Sequence, residues 1–197
     1  MLKGQNYNHA KLGAHIWVEP IRLLSDIKLI KELLSTNPRN LLLFIIGINT
    51  NLNTKELLSI KAGQVRNLNP GESIQIVNPR NRKIRKVPLN NLCIRSIEHL
   101  FKNKYYNDND SIFMGRRGLL TIPSVTRMVK SWCNKINLKG NYGSQSLRKT
   151  WGYHQYVTYN VDLRTIIKYL HFASIQQAQN YLGIEPKFDR SPFENEI

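Results

Sequence analysis

The sequence predicts a mainly α-helical domain carrying one small antiparallel β-hairpin or sheet, an α+β fold. Three observations lead there. Apolar residues recur at three- and four-residue intervals in segment after segment, which is helical spacing. Two short β-branched runs, 74–77 and 84–89, flank the connection Asn78-Pro79-Arg80-Asn81-Arg82, which is hairpin patterning. The chain has 197 residues, 41% of them hydrophobic, enough for one domain with a sizeable core and too many for a disordered chain.

Taken in order, residues 1–15 are polar and predict a poorly ordered arm. Residues 16–21 read as a short extended lead-in. Ser25 caps a helix over 25–34, with Ile27, Leu29, Ile30, Leu33 and Leu34 as its apolar stripe. Asn37-Pro38 starts the next helix, as N-cap and first helical residue. The run 41–48 is apolar nearly all round and reads as the buried centre of the domain. Asn53 or Thr54 caps a helix over 55–61. Helices follow over 91–104, from Pro123 to 135, from a cap at Ser146, from Asp162 to 170 and from Ser174 to a stop at Gly183. The boundaries drawn are an arm over 1–15, one domain over 16–184 and a tail over 185–197.

Composition narrows the function classes. The formal net charge is +16, more than solubility alone asks for, and a polyanion, nucleic acid first, is the partner it suits, the alternative being a basic protein that merely avoids aggregation. Five cations, Arg80, Arg82, Lys83, Arg85 and Lys86, fall within seven residues of the hairpin. They read as a loop reaching into a DNA groove, or as a solvated basic loop. No apolar run is long enough to cross a bilayer, and residues 1–5 carry no signal-peptide pattern, so a cytoplasmic protein is expected. Cys93 and Cys133 lie far apart and read as reduced core thiols. No glycine-rich phosphate loop and no metal-ligand spacing occur, so neither a metal nor a small-molecule cofactor is expected.

Two stretches carry chemistry. Gly143-Ser144-Gln145-Ser146-Leu147-Arg148-Lys149-Thr150 puts an arginine at the start of a helix, and 170–184 puts Tyr181 at the end of another. This pair resembles the end of the catalytic domain of phage integrases, the tyrosine recombinases, in which one helix opens with His-x-x-Arg and the last carries a nucleophilic tyrosine. The stretch 41–61 is similar to that family's paired helices around Gly-Leu-Arg-x-x-Glu-Leu-Leu. The resemblance covers roughly 19 to 184 in the right order and implies the tyrosine recombinase catalytic-domain fold. It leaves no room ahead of the domain for the N-terminal DNA-binding domain of full-length integrases. A catalytic-domain-only relative, or a clamp completed by another polypeptide, is therefore expected.

The resemblance implies a metal-free phosphoryl transfer. The tyrosine oxygen attacks a DNA phosphate to give a 3′-phosphotyrosine, two arginines hold the non-bridging oxygens, and a hairpin lysine protonates the leaving 5′ oxygen. Carried over residue by residue, Tyr181 is the nucleophile position and Arg148 the second arginine. The first arginine falls at Asn53, which is neutral and makes no cationic fork. The hairpin lysine falls at or next to Arg80, whose guanidinium is a poor proton donor. The histidine of His-x-x-Arg is Gln145, and the last His or Trp position is Phe172, with His171 adjacent as a substitute. Lys55 and Lys61 are alternative sources of charge. Apart from the resemblance, Tyr181 would read as a helix-end aromatic.

Two functions stand side by side. One is a DNA-binding regulator or accessory factor of a phage or mobile element, impaired in cleavage, gripping DNA through the hairpin cations with Arg148 and Lys149. The other is an active site-specific recombinase using Tyr181. A protein-binding remnant is the third class. Relatives use tails like 185–197 to dock on a neighbouring protomer, which implies homo-oligomers, and the setting implied is the nucleoid of a bacterial host.

Overall fold

The structure is a computed structural model that describes residues 17–77, 82–116 and 118–185. The expected arm, Arg80 with most of the hairpin connection, and the tail beyond Glu185 lie outside the described residues. In chain order the elements are α1 (Leu24–Leu34), α2 (Pro38–Asn49), α3 (Thr54–Leu58), a 3₁₀ turn (Ala62–Gln64), β1 (Ser73–Val77), β2 (Ile84–Pro88), α4 (Asn91–Asn103), β3 (Met114–Gly115), β4 (Gly118–Leu119), α5 (Ile122–Lys135), α6 (Ser144–Val157), α7 (Leu163–Leu170) and α8 (Ile175–Leu182). Both sheets are two-stranded and antiparallel, the first in register from Ser73 opposite Pro88 to Val77 opposite Ile84. The α+β expectation stands. The short β3–β4 hairpin carries too few residues to show a period and was not expected.

The centre is α2. Asn37 Oδ1 accepts the amide of Asn40 and Pro38 sets the first turn. Leu42, Leu43, Phe44, Ile45 and Ile46 are all buried. Burying such a side chain is worth roughly 1.5–3 kcal/mol relative to leaving it exposed, so this turn-and-a-half anchors the domain. Trp132 of α5 meets Phe44 edge-on at 6.1 Å. At the crossing of α2 with α6, a Cβ on Gly47 would fall 2.7 Å from Leu147 Cδ1, so glycine sets how closely the two helices approach.

The apolar residues form two clusters. The larger runs from Ile21 to Leu147 through α1, α2, α4, α5 and the β1–β2 hairpin. The smaller joins Leu163, Ile166, Leu170, Ala178 and Leu182, with Trp151, Phe172 and Tyr181 packed against it. Helices α7 and α8 are thus a satellite leaning on α6. Gly152 permits the close contact, since a Cβ there would sit 2.7 Å from Leu182 Cδ2.

Four local expectations are corrected. Ser25 lies inside α1, whose N-cap is Leu23 and carries no side-chain bond. Only Ile27, Ile30 and Leu34 of the expected stripe are buried, while Leu29 and Leu33 are exposed, because they point about a third of a turn off the direction of the buried three. The third helix stops at Leu58, and Lys61 pairs instead with Ser111 in an isolated bridge. Ser146 is not the cap of α6. The helix begins at Ser144, and Ser146 Oγ reaches back to accept the amide of Gly143. No helix among the described residues is long and apolar enough to cross a membrane.

Candidate active site

Two adjoining clefts open where α3, α6, α8 and the β1–β2 hairpin meet. The first, of about 280 Å³, is lined by Asn53, Thr54, Lys55, Ile122, Ser144, Gln145, Arg148 and Tyr181. The second, of about 570 Å³, is lined by residues that include Asn53, Glu56, Lys83, Arg85, Arg148 and His171. Asn53 and Arg148 belong to both, so positions up to 128 residues apart in sequence converge on one recess.

Arg148 sits in the second turn of α6, half-buried at the junction. Its Nε donates to the Asn51 carbonyl at 2.8 Å and its Nη2 to the Leu170 carbonyl at 3.3 Å. These two carbonyls fix the fork in place, which is how a guanidinium is made ready to meet an anion without first losing freedom. Arg148 lines the first cleft together with Tyr181, and its charge acts on the phenol. The Tyr181 ring packs on Phe172 at 4.9 Å between centroids. Burial pushes the Tyr181 phenol above its ordinary value, and the nearby Arg148 guanidinium pulls the other way without cancelling it. The group is therefore a neutral phenol at physiological pH.

Asn53 is occupied with the backbone. Its Oδ1 accepts the amide of Glu56 at 3.0 Å, and Glu56 Oε2 accepts the amide of Asn53 at 2.9 Å, a reciprocal capping box for α3. The same Glu56 oxygen takes Arg85 Nη2 at 2.9 Å. Arg85 Nη1 continues to Asn51 Oδ1 at 2.6 Å, and Asn51 Nδ2 donates to the Tyr169 carbonyl at 2.7 Å. Asn51, Glu56 and Arg85 were not singled out from the sequence as a unit. The Asn-x-x-Glu spacing of the capping box is visible there, but nothing local pairs residues 56 and 85.

The expected site residues divide accordingly. Asn53, Gln145, Arg148 and Tyr181 line one cleft. His171 lines the second cleft beside Arg148, at a left-handed backbone position with φ 58°, while Phe172 buttresses the Tyr181 ring. Arg82, Lys83 and Lys86 are exposed. Two of the expected DNA contacts have partners within the fold. Arg85 is spent on Glu56 and Asn51, which hold the hairpin to α3. Lys149 is only 3% exposed, and burial pushes its ammonium down to about 8. Its Nζ lies over the rings of Trp17 and Tyr181, turned inward rather than toward a surface phosphate. Both cysteines are buried free thiols raised to about 12, so neither is a ready nucleophile. Among the described residues no group of three or more His, Cys, Asp or Glu side chains could hold a metal.

A helical domain with a basic hairpin beside a cleft, an arginine in the second turn of one helix and a tyrosine near the end of another define the catalytic domain of a tyrosine recombinase. The family model described as "Phage integrase family" matches residues 25–187, and the chain belongs to that family. It is similar to the probable integrase/recombinase YoeC of Bacillus subtilis, 27% identical over 181 residues, which cover 89% of this chain and 95% of that protein. Among solved structures it resembles the XerA recombinase, with TM-score 0.69 and 20% identity over 85% of this chain and 61% of that one. It also resembles the XerH site-specific recombinase bound to palindromic difH substrate in a post-cleavage complex, with TM-score 0.64 and 24% identity over 83% of this chain and 50% of that one. The chain thus spans nearly all of YoeC but less than two thirds of the XerA and XerH chains.

Proposed function

We propose that the protein grips double-stranded DNA across the recess shared by Asn53 and Arg148, with strand cleavage strongly attenuated. It serves as an accessory or regulatory integrase-family protein of a phage or other mobile element, at the bacterial nucleoid and without a cofactor. The observation that carries this reading is Asn53. The resemblance puts a phosphate-binding arginine there, and this chain has a neutral amide whose oxygen is committed to capping α3. Losing one such donor costs about 10²–10³ in rate. Gln145 and Phe172 further remove two groups able to exchange protons or donate to the phosphate. Arg148 remains, and holding a phosphate needs only its charge and fork. The net charge of +16 and the DNA-bound state of XerH support the same partner.

The test is a gel-shift series on duplex DNA at increasing salt, run beside a nicked suicide duplex. Salt-sensitive binding with no Tyr181-dependent covalent adduct is the expected pair of results, and absence of salt-sensitive binding rejects the reading. Protomer association through the tail belongs to the same reading, and sedimentation of a chain ending at Glu185 checks it.

A second reading, an active recombinase, is favoured by Lys55, which lines the same cleft as Arg148 and Tyr181 and could supply the missing charge. It requires an adduct that disappears in Tyr181→Phe and falls sharply in Lys55→Met.

A further inference from the structure

Residues 17–22 run from the edge of α6 to the end of α8. The Ile21 amide donates to Thr150 Oγ1 at 2.8 Å, and His154 Nε2 donates to the Ile21 carbonyl at 2.9 Å. The Glu19 amide donates to the Asn141 carbonyl at 2.8 Å, and Asn141 Nδ2 donates to the Trp17 carbonyl at 2.6 Å. Two side chains reach α8 from this anchored segment. Trp17 Nε1 donates to the Asn180 carbonyl at 3.4 Å, and Arg22 Nη2 donates to the Gly183 carbonyl at 3.0 Å. Both carbonyls belong to the helix end, where no intrahelical amide is left to serve them. Gly183, at φ 62°, is what admits the segment, since a Cβ there would fall 2.9 Å from Trp17 Cζ2 and 3.0 Å from Arg22 Nη2.

Lys149 lies inside this junction. Its Nζ is 4.5 Å from the Trp17 ring centroid and 4.8 Å from that of Tyr181. Among the described residues no carboxylate comes within 4.0 Å of it, and the Glu19 charge acts on it from farther off, against the effect of burial. The groups in direct contact with this desolvated cation are the two ring faces. The helix it touches belongs to the smaller apolar cluster, which packs apart from the main core and is therefore a unit able to open by itself.

We propose that Trp17 and Lys149 are positioning residues, residues 17–22 forming a strap that fastens α8, and with it Tyr181, into the cleft of its own chain. The Lys149 ammonium, clamped between the two rings, is the pin. The proposal takes from the proposed function only that Tyr181 is the residue presented to the DNA phosphate.

Amide hydrogen exchange on the full chain without DNA tests it. In Trp17→Ala and in Lys149→Met, the α8 amides exchange about tenfold faster than in wild type, while those of α2 and α4 keep their rates. Trp17→Phe, which keeps a ring over Lys149, recovers most of the protection. In wild-type protein the Lys149 ε-methylene resonance is displaced upfield by the two rings, and in Trp17→Ala it moves back toward the usual lysine position. Wild-type exchange of α8 in both variants overturns the proposal, and so does an undisplaced Lys149 resonance in the wild type, a measurement that needs no variant to fold. Failure of the gel shift would remove the DNA reading and leave these results standing.

Discussion

Asn53→Arg returns a cation to the place where the resemblance puts one, at a cost in stability. The substitution removes the Oδ1 that caps α3, worth ~1 kcal/mol. It also sets a positive charge at the N-terminal end of a helix, adding ~0.3–1 kcal/mol against folding. A loss of about 1–2 kcal/mol lowers the melting temperature of a domain this size by about 3–6 °C. On the other side of the balance, the new guanidinium shares a recess with Arg148 and Tyr181. One further phosphate contact steepens the salt dependence of DNA binding by about one counterion. An added donor on the non-bridging oxygens raises the rate of adduct formation on a nicked duplex by about 10²–10³. The assays are a thermal melt, a salt titration by gel shift and adduct capture, each beside wild type. An unchanged melting temperature refutes the capping role of Asn53. An unchanged salt slope refutes the placement of a phosphate in this recess.

Glu56→Ala removes both the reciprocal half of the capping box and the partner of the partly buried Arg85, so a urea melt should show a loss of ~2–3 kcal/mol. Gly152→Ala forces Leu182 and Leu170 away from α6 and should cost about 1–3 kcal/mol, with α8 losing exchange protection before the main core does. His154 gives a pH dependence of definite sign. Burial depresses its folded value below the ordinary 6.5, with the Ile21 hydrogen bond opposing, so the unfolded chain takes the proton first. Its contribution to stability is whole above pH 6.5 and is lost as pH falls through the depressed folded value. Melts taken downward from pH 6.5 should therefore decline more steeply for wild type than for His154→Gln.

Helices with strong local signals were legible from sequence. Asn37-Pro38, Asp162 and Ser174 each combine a capping side chain with helical apolar spacing, and all three start helices as expected. Other local signals misled. Ser25 has capping chemistry but makes no cap bond, and Ser146 spends its hydroxyl on the Gly143 amide from inside the helix. Leu29 and Leu33 are apolar, yet they turn off the buried face of α1. The site was legible as a set of positions, because the order of motifs carried it. The fates of Arg85 and Lys149 were not, since Glu56, Trp17 and Tyr181 come to them only through tertiary packing. Charge counting marks a cation as DNA-facing unless something shows that it has a partner inside the fold.

Asn51 handles three strangers at once. Its amide nitrogen gives to Tyr169, its amide oxygen takes from Arg85, and its main-chain oxygen takes from Arg148. Such a post demands a short side chain with a giving end and a taking end at a set span. Aspartate would turn two oxygens outward and set one against the Tyr169 oxygen; leucine would satisfy neither neighbour; glutamine would overshoot both. Whoever redesigns this recess inherits asparagine at 51 as the one letter to leave alone.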